Sequence, residues 1–383
     1  MRRLSLHIGS HKTGTTTVQA TFDHNQALLL HHGLAVVRGE SLPNLHQYLG
    51  FVDQKAILPG GYKAHDPVAF AAMMAAPKAN HVFGSSENFS FFFQKKAIDD
   101  LAAALKPHFD DIRIIVYLRR QDRHAVSHHQ EGARPDRRPE GLLWGHALTA
   151  LPLPAPHQAL YLDYNRRIGL WESAFGQDSL QVRPFDRSLL TDGDIIPDIL
   201  SLMGLDDVQL ERIPDSNLSL GRLRAKIGHL ANEVVGDGAL TKRLLHALPE
   251  TDDRMTPSAA QAAAFLKPYV EGNRRLNQRL KITGLPDLFP DDFSDYPETA
   301  SEDLSPDATV LALSTVIGTL GNLVAAMQAL TPNDLRLAAL ALETTDPDSA
   351  LRLIQAAHAL RPTGPAIVKL KAKLEARLTK PAK

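Results

Sequence analysis

Over the first two thirds of the chain, short apolar runs alternate with segments whose apolar residues recur at helical spacing. Residues 4–8 predict a buried strand, and residues 15–30 predict a helix that stops at Gly33. His81–Ser85 and residues 112–118 predict further strands, and the latter is the clearest strand in the sequence. This alternation predicts an α/β fold with a P-loop-like parallel sheet flanked by helices.

The rest of the chain has a different pattern. Residues 158–175 predict a helix, residues 180–182 a fourth strand, and the sequence after Asp194 is mainly helical. We expect one α/β domain over residues 1–300 and a helical C-terminal extension over residues 305–383. Within that extension, residues 346–360 and 366–378 resemble a single tetratricopeptide-like hairpin, which is too little for a repeat array.

Composition excludes several classes of protein. The 383 residues carry a net charge of −1, so nothing indicates bulk attraction to nucleic acid or to a membrane surface. Cysteine is absent, which excludes disulfides and thiolate zinc sites. No apolar run of signal length follows Met1, and no stretch is expected to be long enough to span a bilayer. We therefore expect a cytoplasmic protein without an integral membrane segment.

The loop after the first strand has the composition of a phosphate cradle. Gly9 and Gly14 allow the backbone to close on a ligand, and Lys12 supplies a mobile positive charge. The threonines at 15–17 open the next helix, where N–H groups and the helix dipole favour an anion. The alternative is a glycine-rich turn whose threonines only cap a helix.

The position of the lysine separates this loop from that of nucleotide triphosphatases. There the lysine follows the second glycine, whereas Lys12 precedes Gly14. A second element follows the strand at residues 112–118, where Arg119 is followed eight residues later by Ser127. An arginine at the carboxyl end of a parallel strand is well placed to bind a phosphate dianion.

Together these elements resemble those of sulfotransferases that use 3′-phosphoadenosine 5′-phosphosulfate (PAPS), in particular bacterial sulfotransferase-like proteins. The resemblance implies that the loop binds the 5′-phosphosulfate, that Arg119 and Ser127 bind the 3′-phosphate, and that no metal takes part. The donor-binding residues it implies are His11, Lys12, Thr13, Gly14, Thr15, Thr16, Thr17, Arg119 and Ser127. Thr17 stands where cytosolic animal enzymes have a tryptophan that stacks on adenine, and no late Arg-Lys-Gly element is present.

A sulfotransferase needs a base for the acceptor proton, and members of the family use His or Glu. We predict Glu87 as the base, because it follows the second predicted strand at the edge where Lys12 lies. The alternatives are that Glu87 is a structural carboxylate at a helix start or a partner of Lys12, or that His11 or His46 is the base. His124 and His128 have helical spacing suitable for a metal, but no third ligand accompanies them, which favours a polar helix face.

The predicted activity is transfer of the sulfuryl group from PAPS to a hydroxyl or amine of an acceptor, expected to be a carbohydrate or another small metabolite. Two alternatives stay open: a P-loop kinase-like phosphotransferase, and a non-catalytic interaction protein that keeps a nucleotide fold. No nucleic-acid partner is expected. The C-terminal helices are candidates for a contact with a protein partner.

Overall fold

The structure of the protein is a computed structural model. It describes residues 1–52, 61–135, 137, 145, 147–213 and 220–378. The chain divides into two compact units, Met1–Thr309 and Val310–Lys383.

The first unit is built on a five-stranded parallel sheet. Its strands are β1 (Arg3–His7), β2 (Leu34–Val37), β5 (His81–Ser85), β6 (Asp111–Leu118) and β7 (Leu180–Pro184), in the order β2-β5-β1-β6-β7. A small antiparallel hairpin is formed by β3 (Leu49–Phe51) and β4 (Tyr62–Ala64). The predicted parallel α/β fold is confirmed. The edge strand β2 is an addition that the sequence pattern did not show.

Twelve helices of at least six residues accompany the sheet in the described part of this unit. They are α1 (Thr15–His24), α2 (Gln26–His31), α3 (Pro67–Ala75), α4 (Lys95–Leu105), α5 (Gln121–Glu131), α6 (Pro156–Leu162), α7 (Tyr164–Phe175), α8 (Ile195–Leu202), α9 (Arg222–Val234), α10 (Gly238–Ala247), α11 (Ala259–Leu266) and α12 (Val270–Leu280).

The register of the sheet places the candidate residues together. β1 lies between β5 and β6, with Leu6 opposite Gly84 and Ile114. All three strands run in the same direction, so the loops after His7, Ser85 and Leu118 leave from one edge. Leu6 and Ile114 are fully buried in a core on the sheet, where burial of each such side chain contributes about 1.5–3 kcal/mol. The sheet therefore fixes the edge at which a ligand would bind.

Two predicted helices are interrupted. The helix predicted over residues 15–30 breaks at Asn25, whose side-chain amide donates to the carbonyl oxygens of Thr21 and the distant Glu211. The helix predicted over residues 158–175 breaks at Asp163, whose carboxylate accepts a hydrogen bond from the Arg166 N–H and so begins α7. In both cases a polar side chain satisfies a helix end that periodicity cannot reveal.

The second unit is helical, as predicted. Its helices are α13 (Pro306–Ala329), which begins just before the boundary, α14 (Pro332–Leu342), α15 (Pro347–Leu360) and α16 (Pro365–Leu378). Alanine and aliphatic residues of the last three helices form a small core, with Ile354 and Leu374 fully buried. α15 and α16 cover the residues for which the helical hairpin is predicted.

The expectation that no stretch could span a membrane is wrong. α13 has 24 residues and is the one helix in the described part of the chain that is long and apolar enough to cross a bilayer, by length and composition alone. Only about 6% of its most apolar window is buried. The cytoplasmic location stays a prediction.

Candidate active site

The loop between β1 and α1 closes tightly against the start of the segment after β5. Gly9 has a φ of 88°, and a Cβ there would lie 2.9 Å from the Glu87 Cα. Gly14, with a φ of 75°, precedes α1, and a Cβ there would lie 3.1 Å from Ile195 Cδ1. Both positions therefore need glycine, for backbone conformation and for space.

The start of α1 is open to a ligand. Its first turn holds no acidic residue, and within the described residues no side chain caps it. The N–H groups of the first turn have no acceptor inside the helix, so this end favours an anion. Thr15, Thr16 and Thr17 line the cleft in front of it. Thr13 instead turns inward and donates its hydroxyl to the Ser10 carbonyl at 2.6 Å, so that only its backbone could serve a ligand.

Lys12 pairs with a residue that the sequence analysis did not single out. Its Nζ lies 3.0 Å from Oε2 of Glu131, the last residue of α5. Glu131 also contacts Arg134 and Arg137, at 3.1 and 3.2 Å. Burial by itself would raise the pKa of Glu131, but the three cations outweigh it and lower the pKa. A carboxylate therefore stands beside the lysine predicted to bind the phosphosulfate.

Arg119 follows β6 and reaches the loop. Its Nη1 donates to the carbonyl oxygen of Lys12 at 3.4 Å, and it lines the same cleft as Ser127 of α5. No carboxylate in the described ranges pairs with Arg119, whereas its neighbour Arg120 is buried in a bidentate pair with Asp122. Arg120 therefore has a structural role, and Arg119 keeps its charge available to an anion.

Glu87 begins a short 3-10 helix after β5, at the edge where the sequence placed it. Its Oε2 accepts a hydrogen bond from Gln19 at 2.8 Å and lies 3.1 Å from His46 Nε2. Burial would raise the pKa of Glu87, but the contacts with His46 and Gln19 outweigh it and hold the pKa well below its usual value. The partner of Glu87 is thus His46 rather than Lys12, and both contacts use only one carboxylate oxygen.

His11 belongs to an aromatic cluster behind the loop. Its ring stacks on His128 with centroids 5.0 Å apart, and its Nδ1 lies 3.0 Å from the Tyr161 hydroxyl. Burial is the main cause that lowers the pKa of His11 to about 4, so the ring is neutral at pH 7. His124 packs edge-on against His128. Across the described part of the chain, no three His, Asp or Glu residues are grouped to hold a metal.

The structure brings nearly all of the predicted residues to one cleft of about 970 Å³. Its walls include His11, Lys12, Gly14, Thr15, Thr16, Thr17, His46, Glu87, Arg119 and Ser127. Phe185, Leu190 and Ile195 form an apolar wall, while Tyr62 and Phe91 add aromatic rings. Thr13 is the one predicted donor-binding residue that does not line it.

The sequence analysis missed Glu131, Gln19 and the apolar wall. Glu131 is 119 residues from Lys12, and nothing in its local pattern distinguishes it from a surface carboxylate. Gln19 does carry a signal: it lies one turn after Thr15 on the same side of α1, and a buried polar residue there needs a hydrogen-bond partner, which Glu87 supplies.

Comparisons with known proteins add little. No family model matches the chain. An uncharacterised protein of Archaeoglobus fulgidus is 26% identical over 124 residues, which is 30% of this chain and 34% of that protein, so the match spans about a third of the relative's length. A solved structure of a sulfotransferase from Alicyclobacillus acidocaldarius aligns with a TM-score of 0.37 and 15% identity, over 74% of this chain and 97% of that one.

Proposed function

We propose that this protein is a PAPS-dependent sulfotransferase. The observation that carries the proposal is the meeting of two anion-binding elements in one cleft: Arg119 Nη1 lies 3.4 Å from the carbonyl oxygen of Lys12. A forked donor and a lysine-bearing loop that line one cleft suit a ligand with an anionic group at each end of one ribose. PAPS is such a ligand, with a 3′-phosphate and a 5′-phosphosulfate.

The two ends of the donor are assigned from the charges. Lys12 and the N–H groups at the start of α1 hold the 5′-phosphosulfate, because this end combines a mobile cation with the helix dipole. Arg119 and Ser127 hold the 3′-phosphate, because Arg119 has no carboxylate partner in the described part of the chain. The adenine lies against the apolar wall formed by Phe185, Leu190 and Ile195.

The reaction moves one sulfuryl group by in-line displacement. The acceptor oxygen or nitrogen forms a bond to sulfur while the bond between sulfur and the bridging phosphate oxygen breaks. The electron pair leaves on the phosphate of 3′-phosphoadenosine 5′-phosphate (PAP), where Lys12 and the helix N-terminus stabilise the developing charge. The acceptor proton goes to Glu87 Oε1, the carboxylate oxygen that neither Gln19 nor His46 engages.

The walls around Glu87 favour a polyhydroxylated acceptor. Tyr62 and Phe91 have ring centroids 5.6 Å apart, and His46 and Asn88 add polar groups to the same cleft. Aromatic faces with a few hydrogen-bonding groups suit a sugar ring better than a fully apolar acceptor. This favours a carbohydrate or a similar small hydroxylated metabolite.

The experiment is a transfer assay with sulfur-labelled PAPS in EDTA, with a panel of sugars, glycosides and small alcohols read by product mass. We expect a labelled product with at least one acceptor, and a yield lower by about 10²-fold or more with the Lys12→Ala variant. Phosphate transfer from ATP that requires Mg²⁺, without sulfuryl transfer, would instead favour the kinase-like alternative. Absence of binding to either nucleotide would favour the non-catalytic alternative.

A further inference from the structure

Arg167 is a buried arginine on α7. It is 3% exposed, whereas the preceding residue, Arg166, is exposed to solvent. Among the described residues no carboxylate forms an ion pair with Arg167, although the similarly buried Arg120 pairs with Asp122. Removing a guanidinium from water without an anion beside it is unfavourable. Arg167 therefore carries a buried positive charge that no described carboxylate neutralises.

This charge lies against the loop between β1 and α1. Nη2 of Arg167 donates a hydrogen bond to Oγ of the fully buried Ser10 at 2.6 Å. The Ser10 N–H in turn donates to the carbonyl oxygen of Tyr117 on β6 at 3.1 Å. Neither Arg167 nor Ser10 lines the cleft. The guanidinium is therefore behind the part of the loop that leads into His11 and Lys12.

Two tyrosine rings hold the guanidinium in place. Its central carbon lies 4.7 Å from the ring centroid of Tyr161 and 5.0 Å from that of Tyr164. Such cation–π contacts stabilise a buried cation without cancelling its charge. The hydroxyl of Tyr161 also accepts a hydrogen bond from the His11 N–H at 3.1 Å, so the same ring joins Arg167 to the loop.

The histidines nearest to Arg167 are neutral. Burial lowers the pKa of His11 to about 4, and Arg167 lowers it further, although the carboxylate of Glu87 opposes this shift. Burial also lowers the pKa of His124 well below its usual value, and Arg167 is the cation that adds most to that shift. Both rings are therefore uncharged at pH 7, and the positive charge of Arg167 acts on the loop residue His11.

We propose that Arg167 is a positioning residue whose positive charge, held behind the loop, strengthens the binding of a phosphate or phosphosulfate in front of it. An anion bound at the loop supplies the negative charge that the surroundings of Arg167 lack, and the buried setting keeps this attraction from being screened by water. The inference rests on the proposed function in one respect, because it takes the loop as the site of the 5′-phosphosulfate.

Calorimetric titration of the full chain with inorganic pyrophosphate, PAP and adenosine 3′-phosphate tests the proposal. Arg167→Met should bind pyrophosphate and PAP about tenfold or more weakly than the parent. Adenosine 3′-phosphate has no anionic group for the loop, so its affinity should not change. Arg167→Lys keeps the charge and should bind both loop ligands within about threefold of the parent. The matched control is Arg166→Met, which should leave all three affinities unchanged.

Melting temperatures without ligand separate this role from a structural one. Methionine replaces an unpaired buried charge by an apolar side chain, so Arg167→Met should melt no lower than the parent. Ser10→Ala removes the hydrogen bond but leaves the charge, and it should bind pyrophosphate within about threefold of the parent.

Four results would overturn the proposal. They are unchanged pyrophosphate binding by Arg167→Met, a lower melting temperature or failure to fold of that variant, tenfold weaker binding by Arg167→Lys, and an equal loss of affinity for Ser10→Ala. The pyrophosphate titration also separates this inference from the proposed function. If the parent binds pyrophosphate but not PAP, the sulfotransferase proposal fails, and the Arg167 variants still decide the inference. If the parent binds neither, both are overturned.

Discussion

Glu131 places a carboxylate oxygen 3.0 Å from the ammonium of Lys12, in the position proposed for the sulfonate of the donor. The carboxylate is about 18% exposed and draws Arg134 and Arg137 to the same point. Donor binding brings negative charge to this side chain, so Lys12 has to exchange one anionic partner for another.

Glu131→Gln should therefore bind PAPS more tightly than the parent. Loss of one like charge at this distance, partly screened by solvent, should lower the dissociation constant roughly threefold to tenfold, which is about 0.7–1.4 kcal/mol. The measurement is calorimetric titration. The matched control is Glu172→Gln, a carboxylate of similar exposure paired with Arg279 at 2.8 Å, which should leave PAPS affinity unchanged. Weaker binding by Glu131→Gln would mean that the carboxylate only orders the loop.

Lys12→Ala should reduce turnover much more than it reduces PAP affinity. The lysine is expected to stabilise negative charge that develops on the leaving phosphate in the transition state. Its loss should therefore raise the activation barrier for transfer by more than it weakens nucleotide binding. We expect kcat to fall by about 10²-fold or more, in steady-state assays with saturating PAPS. Turnover within a few-fold of the parent would contradict the phosphosulfate assignment of the loop.

Glu87→Gln should lower kcat by roughly 10²-fold or more, with nearly unchanged donor binding. The pH profile of the parent gives a sharper test. Glu87 has a pKa well below its usual value and His11 a pKa of about 4, so neither changes charge between pH 5 and 8. The rate should be flat over that range and fall only in stronger acid. If the rate instead fell with a midpoint near the ordinary histidine pKa of about 6.5, the base would be a histidine such as His46.

His7 should make the fold sensitive to acid. It is fully buried beside Ser85 Oγ, and burial lowers its pKa to about 4. The unfolded chain takes up this proton near pH 6.5 and the folded chain does not, so stability is lost as pH falls from 6.5 towards 4. Between pH 7 and 5 this histidine lowers the free energy of unfolding by about 2 kcal/mol. The measurement is urea unfolding at both pH values. His7→Gln should lose less stability than the parent between pH 7 and 5, whereas His32→Gln, at an exposed position, should lose as much as the parent.

Much of the fold could be predicted from local pattern alone. β5 and β6 contain short apolar runs, Val82–Phe83 and residues 114–118, and polar residues follow each strand. The local pattern therefore identified both strands and also placed Glu87 and Arg119 at strand ends. The four-residue β2 is too short to stand out from the helix before it. The break at Asn25 depends on the carbonyl of Glu211, 186 residues away, which no local pattern contains.

The candidate site likewise combines features that are local in sequence with contacts between distant residues. The loop of Lys12 is local, because one strand, two glycines and one helix start define it, and so its composition was informative. The partners of its charged groups are not local: Glu131 reaches Lys12, and His46 reaches Glu87, only when separate elements pack on the sheet. Sequence therefore predicted which charges are present, whereas the electrostatic balance that sets the pKa of Glu87 required the folded chain.

Binding of PAP and AMP in EDTA tests the central claim most directly. The two nucleotides differ only in the 3′-phosphate assigned to Arg119 and Ser127. We predict that PAP at about 100 times its dissociation constant stabilises the protein by about 2.7 kcal/mol, with a clear rise in melting temperature. AMP at the same concentration should give a much smaller rise, and Arg119→Ala should abolish the difference. Equal shifts with PAP and AMP, or no shift without Mg²⁺, would contradict the account.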